Sequence, residues 1–407
     1  MTPTWAWPEQ RRRRHVRDFT AFAIVLASHD AGSRHMARTK DHFTAAIIGV
    51  GAAEHSSAKG GGHQAGYMHA AMYKRHPSVR LVAAADPNPT NLAAFERKFG
   101  VHQAFADHRQ MLRKVQPDVV SIATYVGLHR RMIEDCAKAG VRGIVCEKPF
   151  LESPADLEAV RRVAEKTGLK LVVAHVRRFC PGFIRARRLY QEGEVGRPML
   201  CFAGIEGWDL SEWGSHWLDI FRFFHNDAPI RWVMGQARVR QLRGYGHAME
   251  DHAIAYFEFE TGAKAFLDGG VGFAGEGLHM ELVGAEGVIH IHGHDANRLV
   301  IENGRGRSEE TFRTDWNRLW DETLGELLRQ MQTPSRSPLG LDNMLKTAEL
   351  NLAAYISALR GDRVDLPLED DLAEWPLESL ARRTTSAPGT TRTAPPRTAS
   401  RRPRQAR

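Results

Sequence analysis

Cysteine is scarce in this 407-residue chain, with four in all and none in a C-x-x-C pair. That spacing excludes a zinc ribbon and a disulfide framework. Cys136, Cys146, Cys180 and Cys201 read instead as small buried hydrophobes of a reduced, cytoplasmic protein. Long apolar runs are also missing: nothing approaches the roughly 18 residues of a membrane-spanning helix, so no membrane association is expected. The 43% hydrophobic content is that of an ordinary globular protein and excludes a fibrous or wholly disordered chain. A single core rarely serves so long a chain, which favours two domains.

A net basic charge is missing from the body, although the net charge of the whole chain is +8. Residues 1–40 carry eight Lys or Arg against three acids, and residues 382–407 carry eight Arg and no acid, which leaves the body near −5. A nucleic-acid-binding surface needs basicity on the folded body, so no nucleic-acid partner is expected. The stretch from Arg382 onward, rich in Pro, Thr, Ser and Arg, is expected to be a disordered tail. Near the other end, RRRR at 11–14 precedes the short apolar run Phe19–Ala27 without a clear cleavage site, so a twin-arginine export signal is the minor alternative. Met36 opens MARTKDHFTAAIIGVG one step before the first strand, and residues 1–35 read as a dispensable extension.

The chain then alternates short Val/Ile-rich runs with helical stretches. Ala45–Val50, Arg80–Ala85, Asp118–Ala123, Gly143–Glu147 and Lys170–His175 are apolar on both faces, as buried parallel strands are. Thr90–Phe99 is helical by its spacing, and Ser153–Gly168 has a serine cap, Asp156 at the capping-box position and a closing glycine. This alternation means a parallel sheet with right-handed crossovers. At the end of the first strand stands Gly49-Val50-Gly51, a turn that lets backbone approach a pyrophosphate at a helix N-terminus. The third glycine of that fingerprint is displaced: residues 54–64 read as an insertion, with Gly66 in the helix-packing position. Asp86, 20 residues after Gly66, suits the adenosine ribose. Its charge repels a 2′-phosphate, which favours NAD over NADP.

Two further clusters carry chemistry. Cys146-Glu147-Lys148-Pro149 closes a strand at its carboxyl edge, where open sheets bind ligands, and an ammonium there stabilises an alkoxide-like oxygen. Downstream, Glu212 and His216 share a face if their segment is helical, and Asp219 stands placed to orient the imidazole. A surface Glu-Lys pair and a core histidine are the bland alternatives. Trp208, Trp213 and Trp217 read equally as sugar-stacking or core residues. His290-Ile291-His292-Gly293-His294 would align three imidazoles on a strand, but no Cys or carboxylate completes a recognisable ligand set, so no metal is expected.

Taken in order, these features resemble the glucose–fructose oxidoreductase / inositol dehydrogenase / rhizopine-catabolism (Gfo/Idh/MocA) family. The likeness runs over about residues 44–370: Gly49-x-Gly51, Ala85-Asp86, Ser121–Thr124 with His129, Glu147-Lys148-Pro149, Val176-Arg177-Arg178-Phe179, Glu192–Pro198, Gly214-Ser215-His216 with Asp219, and Gly361–Pro367. It implies an N-terminal Rossmann domain (44–176) after a disordered basic extension (1–43). A substrate-binding and oligomerisation α+β domain (177–372) on a large, mostly antiparallel sheet follows, then the basic tail (382–407). The resemblance also implies a homo-oligomer. Lys148 becomes the active-site lysine and His216 the acid/base. The coenzyme site comprises Gly49, Gly51, Gly66, Asp86, Thr124, His129, Glu147 and Lys148; Glu212 grips a neighbouring hydroxyl, and Arg178 and Asp219 bind substrate. The chain departs from the family at the interrupted phosphate loop, at Tyr125 where a proline is usual, and at Glu212 where an aspartate is usual. The expected activity is NAD-dependent hydride transfer to or from a sugar, cyclitol or related polyol. The alternatives are a lyase or glycosidase with tightly held NAD, and a non-catalytic NAD sensor.

Overall fold

The computed structural model describes residues 42–386 apart from 53–63, 207–208, 240–242, 245, 271–277, 334 and 370–371. Six strands, β1 (Phe43–Ile48), β2 (Val79–Ala85), β3 (Gln103–Phe105), β4 (Val119–Ile122), β5 (Gly143–Cys146) and β6 (Lys170–Val173), form a sheet in the order 3-2-1-4-5-6. All its pairings are parallel. The connecting helices are α1 (Ala65–Arg75), α2 (Pro89–Phe99), α3 (His108–Val115), α4 (Val126–Lys138) and α5 (Pro154–Thr167). Strand order reverses between β1 and β4, so their carboxyl ends open the crevice in which such sheets bind ligands.

Local chemistry sets the helix ends. Ser153 caps α5 by accepting from the Asp156 amide, and Gly168 closes it in the left-handed conformation at φ 72°. The reciprocal arm of the expected capping box is replaced: the Asp156 carboxylate accepts from Arg130 at 3.0 Å. Strand β3, absent from the expected elements, has only three residues and no fully buried side chain.

The second half contains α6 (Pro181–Gln191), β7 (Pro198–Glu206), α7 (Ser215–Phe224), β8 (Ile230–Arg238), the small hairpin β9 (Arg243–Gly244) and β10 (His247–Ala248), then β11 (His252–Phe259), β12 (Lys264–Gly270), β13 (Leu278–Gly284), β14 (Gly287–His292), β15 (Arg298–Asn303) and β16 (Gly306–Thr311). After these come α8 (Trp316–Gln332), α9 (Leu341–Arg360), β17 (Val364–Asp365) and α10 (Pro376–Ser386). Nine strands order as β16-β15-β14-β13-β7-β12-β11-β8-β17, all antiparallel except β7 beside β12. On β11, Ala253, Ala255, Phe257 and Phe259 face the buried side, while Ile254 and Tyr256 lie on the half-buried side.

Helices α8 and α9 return to the first sheet. Leu327 and Met331 of α8 press on Gly143 of β5, and the Val173 amide of β6 donates to the Leu339 carbonyl at 3.0 Å. The far edge of the parallel sheet is therefore sealed by chain that follows the second sheet. The C-terminal helix α10 extends past Arg382, into the segment expected to lack structure. Buried Trp375 and Leu377 anchor it, Arg382 pairs with Glu374, and Arg383 donates to the Leu359 carbonyl.

Candidate active site

A cavity of about 590 Å³ runs along the crevice, lined by residues that include Gly49, Gly51, Asp86, Thr124, Tyr125, Glu147, Lys148 and Glu212. At its floor Gly49 takes φ +83°, and an added Cβ there would lie 2.6 Å from the Thr124 methyl. Gly66, in the first turn of α1, would with a Cβ come within 2.6 Å of the Gly49 carbonyl oxygen. This close helix-to-loop approach is the packing that a dinucleotide-binding turn requires. Of the inserted loop, residues 54–63 lie outside the described residues. Asp86 accepts from the Val50 and Gly51 amides at 2.9 and 3.3 Å, and so braces the glycine turn from the end of β2.

The lysine end is held from both sides. Glu147 accepts at Oε1 from His69, at 3.0 Å, and at Oε2 from the Lys148 amide, at 3.1 Å. Burial pushes the Glu147 carboxyl up, but His69 and Lys148 more than offset it, and it titrates below the usual carboxylate range. His69 in turn meets Ser121 at 2.8 Å, as does Tyr73 at 2.7 Å. Lys148, joined to Pro149 by a cis peptide, directs its ammonium at Glu212, 3.1 Å from Oε2 and 3.2 Å from the main-chain oxygen.

Glu212 does not sit on a regular helix. It lies in a π-helical turn, Leu210–Gly214, that leads into α7, and Asp209 caps that turn by accepting from the Glu212 amide at 2.6 Å. Burial, opposed by Lys148 and aided by Asp209, raises the Glu212 carboxyl to about 7. Behind the turn, Glu250 accepts from the Leu210 amide at 2.6 Å and from the Tyr355 hydroxyl at 2.7 Å. His216 follows on α7, and its buried Nδ1 has no hydrogen-bond partner among the described residues. Burial first, then the charges of Arg177 and Lys148, hold its pKa well below the ordinary value. Lys148 and His216 converge on one indole: the Lys148 ammonium is 5.5 Å, and the His216 ring 6.0 Å, from the Trp213 ring centre.

Three expected roles change. Asp219 does not orient His216; it receives Arg178 at 2.7 and 2.8 Å and the Thr347 hydroxyl at 2.9 Å, and its nearest imidazole is His175 at 4.0 Å. Arg178 is likewise taken up by Asp219 and Asp227, so both expected substrate contacts belong to one ion-pair network, buried except at Asp227. His129 is fully buried, with its ring nitrogens 3.0 and 2.9 Å from the Thr124 and Phe150 carbonyls, so it holds the loop rather than the coenzyme. Trp217 is core, Trp213 is half-buried beside the cleft, and Trp208 lies outside the described residues. Of the histidine triplet, His290 pairs with Glu281 at 3.1 Å while His294 lies beyond the strand, stacked against Trp217.

Comparison with known proteins agrees with the two-part fold. The model described as "Oxidoreductase family, NAD-binding Rossmann fold" matches residues 43–175, and "GFO/IDH/MocA C-terminal domain" matches residues 183–290. The chain belongs to the Gfo/Idh/MocA oxidoreductase family. Among its relatives, scyllo-inositol 2-dehydrogenase (NAD(+)) of Bacillus subtilis (strain 168) is 26% identical, over 75% of this chain and 94% of that protein. D-apiose dehydrogenase of Paraburkholderia graminis is 29% identical, over 71% and 83%. A solved structure of levoglucosan dehydrogenase in complex with NADH superposes with a TM-score of 0.67 at 18% identity, covering 80% of this chain and all of that one. This family member is an NAD-dependent oxidoreductase.

His69, His175, Asp209 and Glu250 were not singled out by motif, and Arg177 stood in a quoted run without a role. His69 and Glu250 matter through partners distant in sequence, His69 with Glu147, 78 positions away, and Glu250 with Leu210, 40 away.

Proposed function

We propose that this oxidoreductase transfers a hydride between the C4 position of NAD and a hydroxyl-bearing carbon of a sugar, cyclitol or related polyol. The observation that carries the proposal is the convergence of the Lys148 ammonium and the His216 imidazole on Trp213, with Lys148 at the end of a groove floored by Gly49 and Gly66. The groove fits a dinucleotide, because Gly49 and Gly66 leave the cradle that a Cβ would fill. Gly49, Gly51 and Gly66 would take the pyrophosphate, Asp86 the ribose, and Thr124, Glu147 and Lys148 the nicotinamide end; the bound coenzyme supplies the hydride acceptor.

In the oxidation direction His216, held neutral, takes the hydroxyl proton while the carbon gives up its hydride and the C–O bond becomes a carbonyl. Lys148 donates to the same oxygen and stabilises its partial charge. Glu212 keeps the ammonium in place and accepts from a neighbouring hydroxyl. Homo-oligomerisation is proposed through the half-buried sheet face bearing Phe202, Tyr256 and Phe266, beside exposed Met199 and Met234. The four buried, unpaired cysteines support a cytoplasmic setting. No helix among the described residues is long and apolar enough to cross a membrane.

The test is a melting curve of the protein with excess NAD or NADP, followed by a sugar and polyol panel read by nicotinamide absorbance. A melting point unmoved by either coenzyme would overturn the cofactor assignment. Product without net NADH would move the reading to the lyase.

A further inference from the structure

Arg177 and Arg178 are neighbours in sequence and both buried, 7% and 2% exposed, yet their surroundings are opposite. Arg178 holds two carboxylates. Arg177 forms no ion pair with an acid among the described residues; its one hydrogen bond runs from Nε to the His294 carbonyl at 3.0 Å. Its guanidinium lies instead among three indoles, 5.4 Å from Trp213, 5.2 Å from Trp217 and 5.4 Å from Trp316. Cation–π attraction offsets part of the cost of burial, but a guanidinium has five donors in a planar fork, and those on Nη1 and Nη2 find no acceptor among the described residues. Buried charges in folded proteins are paired as a rule; Asp295, the acid whose charge reaches Arg177, makes no ion pair with it, so among the described residues this guanidinium has no anion in contact.

The position of the missing anion follows from Trp213. Lys148 and Arg177 both lie over that one indole, 5.5 and 5.4 Å from its centre, with His216 beside it. Trp213 is half-buried and Trp316 is 41% exposed, so the cage opens outward on their side. Elsewhere around the cleft the positive charge is answered, Lys148 by Glu212. Resting on the hydride-transfer reading above, we infer that the substrate carries a carboxylate, as an aldonic or uronic acid does, and that Arg177 binds it. The two free Nη groups match a carboxylate bidentately, while the tryptophan cage excludes water and the reacting hydroxyl lies between Lys148 and His216. Because Lys148, the other cation over Trp213, is already paired with Glu212, the one guanidinium left suits a monoanion better than a phosphate dianion.

The experiment compares acid and neutral partners in the full-length protein with NAD: D-gluconate against D-glucitol, D-glucuronate against D-glucose, with D-glucose 6-phosphate alongside. In the wild type kcat/KM for the acids should exceed that for the neutral partners at least tenfold. Arg177→Met should bring the ratio toward unity, mainly through KM, and Arg177→Lys should leave it intermediate. Equal use of acid and neutral partners, a preference that survives in Arg177→Met, or a preference for the phosphate would each overturn the inference. Where no substrate of either class yields NADH, calorimetric titration of D-gluconate into the protein with NADH decides. Binding that Arg177→Met abolishes supports the anion site, and absence of binding to the wild type sinks it. Stabilisation by NAD, measured on each variant, reports folding and tests the coenzyme reading separately. Should Arg177→Met fail to fold, Arg177→Lys carries the comparison, and an undiminished acid preference there overturns the inference.

Discussion

Glu212 meets Lys148 twice, through its carboxylate at 3.1 Å and its main-chain oxygen at 3.2 Å, so the lysine stays placed whether or not the acid is ionised. Only the charge of the contact changes with pH.

That carboxyl titrates at about 7, chiefly because it is buried, whereas His216 stays neutral because burial and nearby cations hold it low. In the oxidation direction kcat/KM is therefore expected to rise through about pH 7 and then level off. Glu212→Gln should erase that limb and lower the plateau about 10- to 100-fold, the size of a lost charge-assisted hydrogen bond. Stability runs the other way. The folded-state pKa is raised from the ordinary 4.5, so this group's contribution is fullest below that value and is lost as pH climbs toward 7. A flat pH–rate profile in the wild type would count against the assignment.

Replacing His216 by Ala should lower kcat about 10²- to 10⁴-fold, as loss of a positioned base does, while stabilisation by NAD persists. Lys148→Ala should produce a fall of similar size. Turnover and melting curves on the same preparations check both; full activity in either variant would remove that residue from the chemistry.

Asp86 accepts two amides of the glycine turn and faces the groove. Asp86→Ala should weaken NAD binding by about 1.5–3 kcal/mol, roughly 10- to 150-fold in Kd, and relax discrimination against NADP. Calorimetric titration with both coenzymes measures this.

Asp219 and Arg178 form a buried pair at 2.7 Å, each side chain 1% exposed. Breaking such a pair leaves a charge stranded, at a cost of about 3–5 kcal/mol. Asp219→Ala should therefore lose stability in a denaturant titration. A residue that only touched substrate would instead alter KM at unchanged stability.

Much of this was legible in the chain. The β1, β2, β4, β5 and β6 runs announce themselves because parallel strands buried on both faces are nearly continuous apolar runs. Helix α5 is written in its Ser153 cap and Gly168 stop. Gly49, Asp86, Lys148 and His216 could be found because each occupies a strand end or a short polar cluster. What spacing could not supply was pairing. A regular-helix count aims Asp219 at His216, but it carries no information that Arg178, 41 positions upstream, takes that carboxylate. Likewise Glu250 reaches the Leu210 amide across 40 positions, and no local pattern marks it. Strand β3, three residues at the sheet edge, is too short for any periodicity to register.

The return of α8 to β5 and β6 bears on how this enzyme could be dissected or recombined. A coenzyme-binding module excised at the end of β6 would expose Gly143 and its neighbours where Leu327 and Met331 now rest, and would leave the Val173 amide without its acceptor. Chimeras that exchange substrate halves between relatives must carry residues 316–340 along with the coenzyme half. Junctions drawn from sequence order alone would yield insoluble products.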